Sequence, residues 1–307
     1  MSSASHSAAK DLTHGRAGLS IEIAYTKALH EHHVTETDEA MAELPDYVKP
    51  PVIEVVLGVQ FEPLRDLRAA HIGAYWDTIK DEFGAIEEHP TISHMVERPT
   101  PGPAFPSLQV LDQPDLPRTW FIDSSGNRLI QLQRDRFLFN WRKVRPKDEY
   151  PRFPIVKKEF FRYWEGFARF LEGVDVAQPE IDQCEVTYVN HIMKGEGWES
   201  LSDVGNLFTV FGWTTRSGFL PGPEGVRWTM RFQLPEGQGR LHVDATPVVL
   251  PDRMSAIRFT LTARGVPDSP QETQRLDRWF DLAREWIVKG FADLTSKQMD
   301  SRWERKA

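Results

Sequence analysis

Trp120-Phe-Ile-Asp-Ser-Ser-Gly-Asn-Arg-Leu-Ile-Gln-Leu-Gln-Arg-Asp-Arg-Phe-Leu-Phe-Asn-Trp-Arg142 reads as three short strands joined by two tight turns. Ser124-Ser125-Gly126-Asn127 is rich in residues that accept positive φ, so the chain reverses there. Trp120-Phe121-Ile122 and Leu129-Ile130-Gln131-Leu132 are apolar runs of strand length on either side. A second reversal at Arg134-Asp135-Arg136 leads into a strand with Phe137, Phe139 and Trp141 on one face. Arg136, Leu138, Asn140 and Arg142 lie on the other, because successive side chains in a strand alternate. The stretch is an antiparallel meander with one apolar face.

Upstream, Val52 to Phe61 places Ile53, Val55, Leu57, Val59 and Phe61 on one strand face. From Asp66 to Phe83 the apolar spacing lengthens to helical steps through Leu67, Ala70, Ala74, Ile79 and Phe83. Residues 86–117 are proline-rich and read as an irregular excursion with one short strand at 107–111. Downstream, Phe153, Val156, Phe160, Trp164, Phe167 and Leu171 form the stripe of a helix over 151–173 that packs on the meander.

The order then begins again. Ile181 to Ile192 reads as a strand, and 198–211 as a shorter helical segment. Three strands follow, at 226–234, 240–245 and 257–264, and a last helix runs from Gln271 to about Leu294. The reading is an α+β fold of two strand–helix–three-strand–helix halves, each an antiparallel sheet with helices on one face. The halves would sit side by side in a saddle-like, pseudo-twofold arrangement. The domain reading is a flexible arm over 1–44, a first half over 45–180 and a second over 181–307, the two halves forming one body.

The chain has 307 residues, 40% hydrophobic and 27% charged, and can bury a full core. No apolar run of about 18 residues occurs and no secretory signal is evident, so the expectation is a cytoplasmic protein with no membrane partner. A single cysteine, Cys184, excludes an intramolecular disulfide and fits a reducing compartment. A net charge of −8 argues against indiscriminate nucleic-acid binding, though a local basic patch is compatible with it.

Pro50-Pro-Val-Ile-Glu-Val-Val-Leu-Gly-Val-Gln-Phe61, Trp120-Phe-Ile-Asp123, Leu129 to Phe137, Asn140-Trp-Arg-Lys143 and Cys184-Glu-Val-Thr-Tyr-Val-Asn-His-Ile192 carry a resemblance. Together they resemble a sporadically distributed family of uncharacterised bacterial proteins. The resemblance spans most of 46–292, leaves the N-terminal segment out and implies no activity.

The polar face of the second set of strands is the most informative chemical feature. Alternation puts Arg227, Thr229, Arg231, Gln233, Arg240, His242, Asp244, Arg258, Thr260, Thr262 and Arg264 there, with Gln131, Gln133, Asn140 and Arg142 from the first set. The arginine fork suits phosphate and carboxylate groups. Arg227, Arg231, Arg240, Arg258, Arg264 and Arg142 are therefore the candidate anion-binding residues of a non-enzymatic binding or regulatory protein. Its candidate ligands are an anionic small molecule, nucleic acid or an acidic protein partner.

Two other classes compete. An enzyme, a metal-assisted or acid–base hydrolase, would draw on Glu185, His191, His242 and Asp244, and an interaction subunit of a multi-protein system would need no ligand. No sequence signature of a nucleotide, metal or nucleophile site occurs. His30, His32 and His33 lack the further ligands of a metal centre, so neither a metal nor a cofactor is assigned. Strand alternation points Cys184 away from His191, as a structural thiol. Trp198, in a glycine-rich loop, reads as a loop anchor.

Overall fold

A computed structural model describes residues 44–97, 116–211 and 219–306. The histidine cluster at 30–33 and the strand expected at 107–111 lie outside these residues. Pro45–Ala307 forms one compact unit.

Among the described residues nine strands make one antiparallel sheet in the order β2-β3-β4-β5-β1-β6-β9-β8-β7. They are β1 (Val52–Phe61), β2 (Ala85–His89), β3 (Arg118–Ile122), β4 (Arg128–Gln133), β5 (Arg136–Arg142), β6 (Ile181–Met193), β7 (Trp228–Gln233), β8 (Arg240–Val249) and β9 (Ser255–Gly265). The helices are α1 (Ala69–Ile79), α2 (Phe153–Gly173), α3 (Thr273–Leu294) and α4 (Lys297–Arg302). The α+β class, with antiparallel strands and helices against one face, is as the alternation predicts.

The centre of the sheet is the pair β1 and β6, where Val55, Leu57 and Val59 stand opposite Tyr188, Val186 and Cys184. All six are buried and face the helices. The α2 stripe, Phe153, Val156, Phe160, Tyr163, Phe167 and Leu171, is buried against this side. The α3 stripe, Leu276, Phe280, Ala283, Ile287 and Phe291, does the same over the second set of strands. Phe160 and Phe280 meet edge to face at 4.9 Å and join the two helices. Burying each such ring contributes about 2–3 kcal/mol, so the core sits between sheet and helices.

The turns follow from their residues. Between β3 and β4, Gly126 takes φ 77°. The Asp123 carboxylate accepts from Ser125 Oγ at 2.9 Å and from the Arg128 backbone N–H at 3.2 Å, an Asx-type lock on the reversal. Between β4 and β5 the two-residue loop Arg134-Asp135 sets Gln133 opposite Arg136.

The structure departs from the sequence reading in three places. Residues 85–89 form an edge strand, β2, within what reads as an irregular excursion, because its mostly exposed, charged sequence lacks an apolar face. The helix expected over 198–211 is only a 3₁₀ turn at Leu201–Asn206. Gly195 and Gly197, both at positive φ, precede it and favour a tight loop over a helix. A short helix, α4, follows the last long one and buries Met299. Among the described residues the first set of elements is thus strand–helix–four strands–helix, and the second strand–3₁₀ turn–three strands–two helices.

Candidate binding face

The side of the sheet away from the helices is polar, and a row of side chains crosses it. Gln133 on β4 stands opposite Arg136 on β5, Arg136 opposite Gln60 on β1, and Gln60 opposite Gln183 on β6. All four are buried, although no helix of the described residues covers this side. The cover is the chain itself, because residues 90–97 lie across the row.

The row holds this strap by its backbone. Gln133 accepts from the Ile92 N–H and donates to the Ile92 carbonyl, both at 2.8 Å. Gln60 does the same at Met95, accepting at 3.1 Å and donating at 3.2 Å. Gln183 accepts from the Glu97 N–H at 2.7 Å and donates to the Met95 carbonyl at 2.8 Å. Arg136 donates to the Ser93 carbonyl at 3.2 Å and to Gln60 Oε1. A primary amide offers one acceptor and two donor protons, so each glutamine can satisfy an N–H and a C=O together. His94, on the strap, stands between two carboxylates, with Nδ1 3.0 Å from Asp135 and Nε2 2.8 Å from Asp182.

The strap ends on an anion seat. One Glu97 oxygen accepts from Arg240, and the other lies 2.9 Å from His242 Nε2. Burial alone would raise the Glu97 carboxyl, but hydrogen bonds from Arg240 and His242 and their nearby charge hold it below its usual value. Burial, aided by the charges of Arg264 and Arg231, lowers His242 against the pull of Glu97. A second cross-strand row continues beside the seat: Glu185 opposite Arg264, Arg264 opposite Arg240, and Arg240 opposite Gln233.

The candidate anion-binding arginines separate into groups. Arg240 is taken by Glu97, Arg264 Nε donates to Glu185 at 2.6 Å, and Arg227 pairs loosely with Asp244 at 3.3 Å. Arg231 and Arg258 are exposed and make no hydrogen bond or ion pair among the described residues. Arg142 lies on the first set of strands, where Nε donates to the Gly126 carbonyl at 2.8 Å and the guanidinium covers Trp120 at 5.6 Å. Arg118 covers the same ring at 5.4 Å, and His89 stacks on it at 3.9 Å. Below them a relay, buried at its middle link, runs from Arg118 to Gln131 (3.0 Å), from Gln131 to Asn140 (2.9 Å) and from Asn140 to Glu54 (2.7 Å).

The four candidate acid–base residues share the open face without forming one cluster. Glu185 is bound to Arg264, His242 to Glu97 and Asp244 to Arg227 and Thr246. His191 lies opposite Arg258, six residues along β6 from Glu185, which is about 20 Å of strand. Among the described residues no group of three His, Cys, Asp or Glu side chains could hold a metal ion. Cys184 faces the helices, fully buried, and burial pushes its thiol well up, so thiolate is scarce. Trp198 is buried and its indole N–H donates to the Ile192 carbonyl at 3.2 Å, anchoring the loop. No helix among the described residues is long and apolar enough to cross a membrane.

Sequence reasoning missed Gln60, Gln183, His94 and Glu97. For the glutamines a signal existed, since each lies on the strand face opposite its apolar core neighbours, Val59 and Phe61 for Gln60 and Cys184 and Val186 for Gln183. No protein-family model, curated protein or solved structure matches this chain.

Proposed function

We propose that this chain is a non-enzymatic binding protein whose open sheet face takes an acidic polypeptide segment of a partner. The observation that carries the reading is the seat of Glu97. An extended segment lies across the sheet, its peptide groups are held by glutamine amides, and its carboxylate rests on Arg240 and His242. A partner segment with acidic side chains would meet the same chemistry further along the face, where Arg231 and Arg258 are unpaired among the described residues. These two arginines are two strands apart, because β8 separates β7 from β9. Such a spread suits an extended chain better than one small ion. Nucleic acid is disfavoured by the net charge of −8 and by Glu185, Asp244 and Glu97 on the same face.

Fluorescence anisotropy with labelled poly-glutamate and a single-stranded DNA of equal length tests the reading. Poly-glutamate binding that falls at least about tenfold in Arg231→Glu plus Arg258→Glu, with the melting temperature unchanged, is the expected result. Preference for the DNA would move the protein to nucleic-acid recognition. Undiminished poly-glutamate binding by the double variant would remove the open face as the site.

A further inference from the structure

The helix side of the sheet holds a cavity of about 290 Å³, between residues 45–52, the start of α2 and the middle of α3. Val52, Leu261, Ile287 and Phe291 give it an apolar floor. Its polar lining includes the ion-paired Asp46, Arg152 and Lys306 as well as Tyr150, Tyr188 and Arg284. Tyr150 and Tyr188 place their hydroxyls 2.9 Å apart. Whichever donates to the other, one O–H proton of the pair has no acceptor among the described residues. Burial pushes both phenols up, Tyr188 to about 12, so at neutral pH both remain hydrogen-bond donors.

Arg284 completes the wall. It is half-buried, its guanidinium lies 5.3 Å over the Phe153 ring, and its charge acts on both phenols. It has no hydrogen bond or ion pair among the described residues. The other cations at the cavity are committed, since Arg152 and Lys306 both bind Asp46, at 2.7 and 2.6 Å. A half-buried guanidinium without a counter-anion carries a desolvation cost that a bound anion would relieve.

We propose that this cavity is a binding site for a small carboxylic acid with an apolar body, its carboxylate on Arg284 and the Tyr150–Tyr188 pair and its hydrocarbon on the apolar floor. One uncommitted cation matches a monoanion. The apolar floor excludes inorganic phosphate, which has no hydrocarbon to bury and two charges to balance. The volume is that of a compact ligand site. This site lies on the opposite side of the sheet from the strap and does not depend on the acidic-polypeptide reading.

Isothermal titration calorimetry of the full chain with decanoate, 4-phenylbutanoate, decanol and inorganic phosphate tests it. At least one of the two carboxylates binds one-to-one, decanol binds at least about tenfold more weakly, and phosphate gives no heat. Arg284→Met brings the carboxylate down to the decanol level, and Tyr150→Phe weakens it several-fold. Arg231→Glu plus Arg258→Glu on the open face leaves it unchanged. If neither carboxylate binds, or if binding survives Arg284→Met at full strength, the proposal is overturned. Should Arg284→Met melt early, Arg284→Lys and Tyr150→Phe decide the matter, and equal affinity in both rejects it.

Discussion

Glu97 Oε2 stands 2.9 Å from His242 Nε2, and the other oxygen of the same carboxylate takes Arg240, so one side chain bridges two residues that share a face of β8. An acidic group of the chain itself thus sits against an arginine and a histidine of the open face.

Replacing that group with a neutral isostere should open the place. In Glu97→Gln the charge that Glu97 places on Arg240 and His242 is gone while the Gln183 hold on the backbone remains. Poly-glutamate should bind about three- to tenfold more tightly than to the wild type, as measured by anisotropy at low salt. Equal affinity would mean that the seat plays no part in recognition.

The glutamine row predicts where the strap loosens. Gln183→Leu removes the acceptor of the Glu97 N–H and the donor to Met95. Losing these bonds costs about 1–2 kcal/mol locally, which is about tenfold faster amide exchange at Glu97. Amides in the β1–β6 ladder should keep their protection in the same hydrogen-exchange run. Slow exchange at Glu97 in the variant would show that the amide row is dispensable.

Glu54 gives a pH signature. Burial raises its carboxyl above the ordinary 4.5, against the Asn140 hydrogen bond and the Arg142 charge. A raised carboxyl holds its proton more tightly in the folded chain, so its contribution is fully present below pH 4.5 and is lost as pH rises through the folded value. Glu54→Gln keeps an oxygen for Asn140 and removes the charge. The variant should therefore melt above the wild type at neutral pH, and the gap should close on acidification. A gap independent of pH would refute the assignment.

Gly265, at the end of β9, lies against the β7–β8 connection. A β-carbon there would run into the Gln238 carbonyl oxygen, and one on Gly239, at φ 136°, into the Arg264 carbonyl oxygen. Both obstacles are backbone, so neither can rotate away. Gly265→Ala should cost about 3 kcal/mol or more in chemical denaturation, whereas Gly166→Ala, with nothing nearby, should not destabilise the chain.

Much of this molecule was legible because burial and alternation agree. Phe137, Phe139 and Trp141 face the helices as their spacing requires, and so do Val55, Leu57 and Val59. Edge strand β2 was not legible, since Glu87 and Glu88 on an exposed rim look like loop. The glutamine row was hidden for a different reason. Gln60, Gln133 and Gln183 are far apart in sequence and meet only because β5 and β6 flank β1 in a particular register. Parity assigns each to a face, but neighbourhood across strands is a long-range outcome that no local pattern encodes.

The way the row grips its strap also bears on sequence drift. Gln133, Gln60 and Gln183 touch the peptide groups of Ile92, Met95 and Glu97, while the side chains of Met95 and Val96 are exposed. The grip reads conformation rather than residue type. In diverging copies of this gene, positions 95 and 96 would be free to vary while the three glutamines and Arg136 stay fixed. Proline would be barred at 92, 95 and 97, where the amide hydrogen is spoken for, and position 97 is further constrained by the carboxylate that Arg240 and His242 hold.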